Sequence, residues 1–118
     1  MLRDVIWMGD SKKKLHEFPK DAQRSIGSAL MLAQFGGTAE HVKPFKGVGS
    51  GVFEIVESHY KNAYRVIYAV QLGERIYVLH SFQKKSKTGI KTPKPEVDLV
   101  RQRYREAQEL AKNDHTQN

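Results

Sequence analysis

Apolar residues recur at three- and four-residue spacing from Ala22 through Ile26, Ala29 and Leu30 to Ala33, a period that predicts a helix with one apolar face. Pro19 suits the start of that helix, where its missing N–H costs nothing, and Gly36-Gly37 supplies the stop. Gly27 inside it costs about 1 kcal/mol relative to alanine, so it is read as a place where a neighbouring backbone comes close. Upstream, Leu2 to Met8 is a short apolar run closed by Gly9-Asp10, which predicts an opening strand. Asp10 or Ser11 can accept hydrogen bonds from the free N–H groups of a short first helix, which Pro19 ends and whose core contacts are Leu15 and Phe18.

From Val42 the pattern changes to strands: a short KPFKG segment, then VFEIVES, AYRVIYAVQ and RIYVLHSFQ. The links between the last three are short, which makes consecutive strands antiparallel hairpins. Alternation within them is imperfect, so both faces are expected to be partly covered, the helices on one and a ligand on the other. Pro93-Lys94-Pro95-Glu96 announces a last helix with Val97, Val100, Tyr104, Ala107 and Ala111 as its apolar stripe. Arg101, Arg103 and Arg105 fall largely off that stripe and give the helix a basic outer surface. Residues 112–118 are polar and aperiodic, which predicts a disordered tail behind one domain spanning residues 1–111. The expected fold is a compact α+β domain: N-terminal strand, two helices, a three- to four-stranded antiparallel sheet and a C-terminal helix.

A chain of 118 residues has room for one core and no more. Its formal charge of +7 selects anionic partners, which means nucleic acid, an anionic membrane surface or an acidic protein. No window approaches the roughly 20 apolar residues of a spanning helix, so membranes are set aside. The segment MLRDVIWMGD lacks the apolar stretch of a secretory signal, and a cytoplasmic location is expected. Without cysteine the chain has neither disulfides nor thiol chemistry.

The charge is unevenly distributed. Behind the last apolar strand come Lys84, Lys85, Lys87, Lys91 and Lys94, with no acidic residue among them and small or turn-forming residues between. A rigid strand thus ends in a block of positive charge suited to a phosphate-bearing partner. The competing reading is a solvated basic loop.

The segments KPFKGVGSGVFEI, YRVIY and YVLHSFQKKSKTGIKTPKPEVDLVRQR, in this order, resemble the HigB-like, phage-derived branch of the RelE/ParE toxin superfamily. The resemblance runs from Val5 to about Ala107 and implies a RelE-like fold. It implies a toxin encoded with a helix-turn-helix antitoxin, with which it can form a hetero-oligomer. The implied activity is cleavage of mRNA, commonly in association with the translating ribosome, on a concave sheet face worked by Lys and Arg. Arg65 then matches the arginine of a central strand, Lys84 and Lys85 the lysine pair that closes the last strand, and Lys43 and Lys46 the basic residues before the first hairpin. Many relatives carry an arginine two residues after the glutamate of GVFEI; this chain has Val56, which shifts weight onto Arg65.

Metal-free RNA cleavage needs a base for the 2′-OH proton, a cation for the charge developing on phosphate, an acid for the leaving oxygen, and in-line geometry. Lysines lower one another's pKa when clustered, so Lys84, Lys85 and Lys87 are candidates for proton transfer. Arg65 is the candidate for the phosphate, because its fork donates two hydrogen bonds and stays protonated. The competing reading for Arg65 is an ion pair with Glu54 or Glu57 on the adjacent strand. His80, Lys91 and Lys94 are further RNA-contact candidates, with a hydrogen-bonded structural histidine as the alternative for His80. Tyr64, Tyr68 and Tyr77 are read as base-stacking or core residues. His16, His41, His59 and His115 have no metal-ligand spacing, so neither metal nor cofactor is expected. Residues 47–51 (GVGSG) lack a following lysine and helix, so they are a turn and not a phosphate loop. Two alternatives to the nuclease stay open: a ParE-like inhibitor of DNA gyrase, and a non-catalytic RNA-binding phage accessory protein.

Overall fold

The computed structural model describes residues 2–85 and 92–116, with the backbone alone for residues 85 and 114–116. The elements are β1 (Val5–Trp7), α1 (Ser11–His16), α2 (Lys20–Gln34), β2 (Val42–Pro44), β3 (Val52–His59), β4 (Asn62–Leu72), β5 (Arg75–Lys85) and α3 (Lys94–Thr116). This is the expected α+β domain, and α3 continues to Thr116, beyond the Ala111 at which its apolar stripe ends.

Local chemistry accounts for most boundaries. Neither Asp10 nor Ser11 caps α1 through its side chain. Asp10 is drawn to Arg103 instead, Oδ1 to Nη2 at 2.8 Å, and the buried Ser11 hydroxyl donates to the Val78 carbonyl at 3.3 Å. Pro19 stands just outside α2, whose five expected apolar positions, Ala22, Ile26, Ala29, Leu30 and Ala33, are all buried. The helix ends in a Schellman turn: Gly36, at φ +90°, gives its N–H to Ala33, and Gly37 gives its own to Leu32 at 2.9 Å.

Gly27 departs from expectation. It is exposed, and a Cβ there would meet nothing within 4 Å, so no neighbouring backbone comes close. The Gly27→Ala variant should therefore gain about 0.5–1 kcal/mol, visible as a higher urea midpoint with an unchanged slope.

The sheet has five strands in the order β1-β5-β4-β3-β2. Strands β2 to β5 are the expected antiparallel set, and β1 adds a fifth, parallel to β5 with Val5 opposite Ile76. No hairpin joins β1 to its neighbour; Arg3 fastens it, donating to the carbonyls of Val70 (2.6 Å), Glu74 and Arg75 (both 3.1 Å).

Both sheet faces carry helices, which corrects the expectation of one helical face and one ligand face. Helices α1 and α2 and the link between them bury Leu15, Phe18, Ile26 and Leu30 against Ile55, Tyr64, Val66, Tyr68, Ile76 and Val78. On the opposite face α3 packs Val100 and Ala107 against Val52, Ile67, Ala69, Tyr77 and Leu79. A β-bulge in β5 decides which side chains share that second face. Tyr68 pairs with Val78 but Ile67 pairs with His80, leaving Leu79 as the extra residue. Strict alternation would keep His80, Phe82 and Lys84 on the face of Val78. The bulge moves all three to the face of Tyr77 and Leu79, which is also the face of Arg65.

Candidate functional site

Cross-strand partners share a face, so the register defines a grid on the α3 side of the sheet. One row runs Lys43, Glu54, Ile67, His80; the next holds Val56, Arg65, Phe82; the last holds Ser58, Ala63, Lys84. Helix α3 covers the side of this face nearest Ala69 and Tyr77. The rows toward the β3–β4 turn carry the charge.

At their centre is Glu54, an acidic residue in the middle of an apolar strand and almost wholly buried. Its Oε2 accepts from Arg65 Nη1 at 2.5 Å, and its Oε1 lies 3.8 Å from Lys43 Nζ. Of the two carboxylates expected to compete for Arg65, Glu54 is the partner. Glu57 points to the other face, where it accepts from the Ser25 hydroxyl at 2.6 Å. Arg65 is only 9% exposed, and its Nε is buried without a partner among the described residues. Lys84 is 6% exposed. Its burial, reinforced by Arg65 and Lys43 and opposed by Glu54, pushes the amine pKa below the ordinary lysine value. Lys43 is 62% exposed along its side chain. Three cationic side chains thus surround one carboxylate, a surplus that an arriving anion relieves.

Val56 stands directly opposite Arg65 across the strands. An arginine at this position would have faced the same cluster.

The other sequence candidates lie around or apart from this centre. Lys46 is exposed in the turn after β2, beside Gly47, whose carbonyl accepts from Arg101 of α3 at 3.2 Å. Lys85 ends β5 opposite Asn62. Lys87 and Lys91 lie outside the described residues. Lys94 opens α3 and pairs with Asp98 at 2.9 Å. Tyr64, Tyr68 and Tyr77 are buried in the two cores, and burial pushes the Tyr68 phenol up to about 12. Among the described residues no group of three His, Asp or Glu side chains is placed to hold a metal ion.

His80 is buried within a chain of polar contacts that the sequence does not advertise. Its Nε2 lies 2.8 Å from Glu96 Oε1, its Nδ1 lies 3.4 Å from Arg103 Nη1, and its ring stacks on Phe82 at 4.9 Å. Arg103 can only donate, so Nδ1 accepts and the Nε2 proton goes to Glu96. Arg103, expected on an outer basic surface, is itself buried and also donates to the Leu79 carbonyl at 3.0 Å. Its bond to Asp10 holds that carboxyl below the usual range. The network joins α1, β5 and α3 beside the cationic cluster. Cutting its outer end with Glu96→Ala should cost about 1–2 kcal/mol, measurable by urea unfolding.

The model of the family described as phage derived protein Gp49-like (DUF891) matches residues 13–105, from within α1 to within α3 and including the whole cationic grid. No curated protein matches the chain. With a match over most of its length, the chain belongs to this phage-derived Gp49-like family, a family of RelE-like toxins.

Proposed function

We propose that the protein is the HigB-like toxin of a type II toxin–antitoxin pair, a ribosome-associated endoribonuclease that cleaves mRNA by attack of the ribose 2′-OH on the adjacent phosphate. The observation that carries this reading is the convergence of Arg65, Lys84 and Lys43 on the one carboxylate of Glu54, in the rows of the α3-side face toward the β3–β4 turn. The RNA phosphate competes with Glu54 for Arg65, whose guanidinium then stabilises the extra charge of the transition state. Lys84, with its lowered pKa, takes the 2′-OH proton as the 2′-oxygen bonds to phosphorus. The bond to the 5′-oxygen breaks, a second donor protonates the departing oxygen, and the products are a 2′,3′-cyclic phosphate and a 5′-hydroxyl. Lys85 and Lys87 are the proposed sources of that second proton, with Lys46, His80, Lys91 and Lys94 along the RNA path. A cognate helix-turn-helix antitoxin silences the protein by covering this basic face in the cytoplasm.

The test is purified chain added to translating ribosomes with a defined mRNA. Fragments with 5′-hydroxyl ends are expected; an intact message throughout the assay overturns the nuclease. If the message stays intact while DNA supercoiling by gyrase is lost, the ParE-like target replaces it.

A second reading, a non-catalytic RNA-binding protein, is favoured by two observations: Arg65 is closed in its pair with Glu54, and Val56 faces it. Salt-dependent RNA affinity without cleavage on ribosomes selects this reading.

A further inference from the structure

The β3–β4 hairpin turns through two residues, Tyr60 and Lys61, with His59 paired to Asn62. Among non-glycine residues of the described chain only Tyr60 has a positive φ, at +58°. A positive φ at the first central residue alone is the sign pattern of a type II′ turn, whose first position belongs to glycine. A bulky aromatic there is an outlier that turn chemistry disfavours. Nor does packing account for it, since Tyr60 is 93% exposed. What holds the ring is His59, whose imidazole meets it edge-on at 4.7 Å.

The turn is also placed beside the proposed RNA site. Lys61 follows the ring, Asn62 pairs with Lys85, and Ala63 pairs with Lys84. About 10 Å of strand separates Asn62 from Arg65. An exposed, braced aromatic among lysines is the arrangement with which proteins hold single-stranded nucleic acid, cations tracking the backbone and rings taking the bases.

We infer that Tyr60 is a stacking platform for an unpaired RNA base next to the phosphate at Arg65. This rests on the RNA reading above and adds to it a contact made by the base, indifferent to its identity, because every base has a π-face. The strained turn presents the ring to solvent, and the neighbouring lysines bring the strand to it.

The test measures anisotropy of a labelled 12-nucleotide single-stranded RNA, 2′-O-methylated so that it cannot be cut, against wild type and the Tyr60→Phe, Tyr60→Ala and Tyr60→Gly variants. Tyr60→Phe should bind within about twofold of wild type, and Tyr60→Ala and Tyr60→Gly about tenfold more weakly. Inorganic polyphosphate, which has charge and no bases, should bind all four alike. Because glycine suits a positive φ, Tyr60→Gly should keep or raise the Tm while losing RNA affinity, a combination that a ring needed only for folding cannot give. Equal RNA affinity in wild type and Tyr60→Ala overturns the platform and leaves the RNA reading standing. A lower Tm in Tyr60→Gly, or polyphosphate binding lost in parallel with RNA, also overturns it. Wild type with no RNA affinity removes both.

Discussion

Arg65→Ala should lower mRNA cleavage on ribosomes by about 10²- to 10³-fold, the loss that follows removal of a preorganised donor to a developing oxyanion. Arg65 sits on β4, the middle strand of the five, and its guanidinium stands in the middle row of the cationic grid. The same substitution leaves Glu54 buried without its nearest counterion, which costs about 3–5 kcal/mol, so a drop in activity alone has two explanations. The double variant Arg65→Ala with Glu54→Gln separates them. Removing the orphaned charge should restore much of the urea midpoint, while cleavage stays low. Recovery of both stability and cleavage would show that Arg65 serves Glu54 and not the phosphate.

Lys84→Met should lower cleavage by about 10²- to 10⁴-fold, the usual weight of a general acid or base. Lys84→Arg is the sharper variant, because it keeps the charge but cannot give up its proton near neutral pH. In the wild type, the folded pKa of Lys84 lies below the ordinary 10.5, chiefly because the amine is buried. The rate should therefore climb with pH through an apparent pKa below 10.5, and Lys84→Arg should flatten that limb. A retained limb would move the base elsewhere. Linkage gives a second readout. Between the folded pKa and 10.5 the unfolded chain holds the proton that the folded chain has released, so stability rises with pH in that window. The contribution is complete above 10.5, is lost as pH falls through the folded value, and should be absent from Lys84→Met.

Much of this structure was legible in the sequence because its determinants are local. The five apolar positions of α2, the Gly36-Gly37 stop and the stripe of α3 follow from periodicity, and a helix leaves such residues only one side to bury. The grid needed more. His80, Phe82 and Lys84 join the face of Arg65 only through the bulge at Leu79, and nothing in the string YVLHSFQ marks an inserted residue. Glu54 reads as an ion-pair partner for Arg65, but its near-complete burial on the α3-side face follows only from the folded sheet. Arg103 reads as a surface charge, yet its partner Asp10 lies at the other end of the chain. The resemblance supplied Arg65, Lys84 and Lys43 as a set; their common carboxylate required three-dimensional register. The conformation of Tyr60 has no signature in the sequence, because a tyrosine in a short turn carries no mark of its φ.

The parallel pairing of β1 with β5 also sets a timetable for synthesis. Val5 and its partner Ile76 are separated by about 70 residues, so at 5–20 residues per second the N-terminal strand waits roughly 4–14 s for its place in the sheet. Until then Val5 and Trp7, which pack against the α2-side core, have no sheet to rest on. Loop closure over such a span is slow, and the core cannot close before β5 has left the ribosome. That strand is also the one that carries Lys84. Nascent fragments ending before β5 therefore contain neither the completed domain nor the full cationic grid, and whatever activity the grid carries can arise only after β5 has been made.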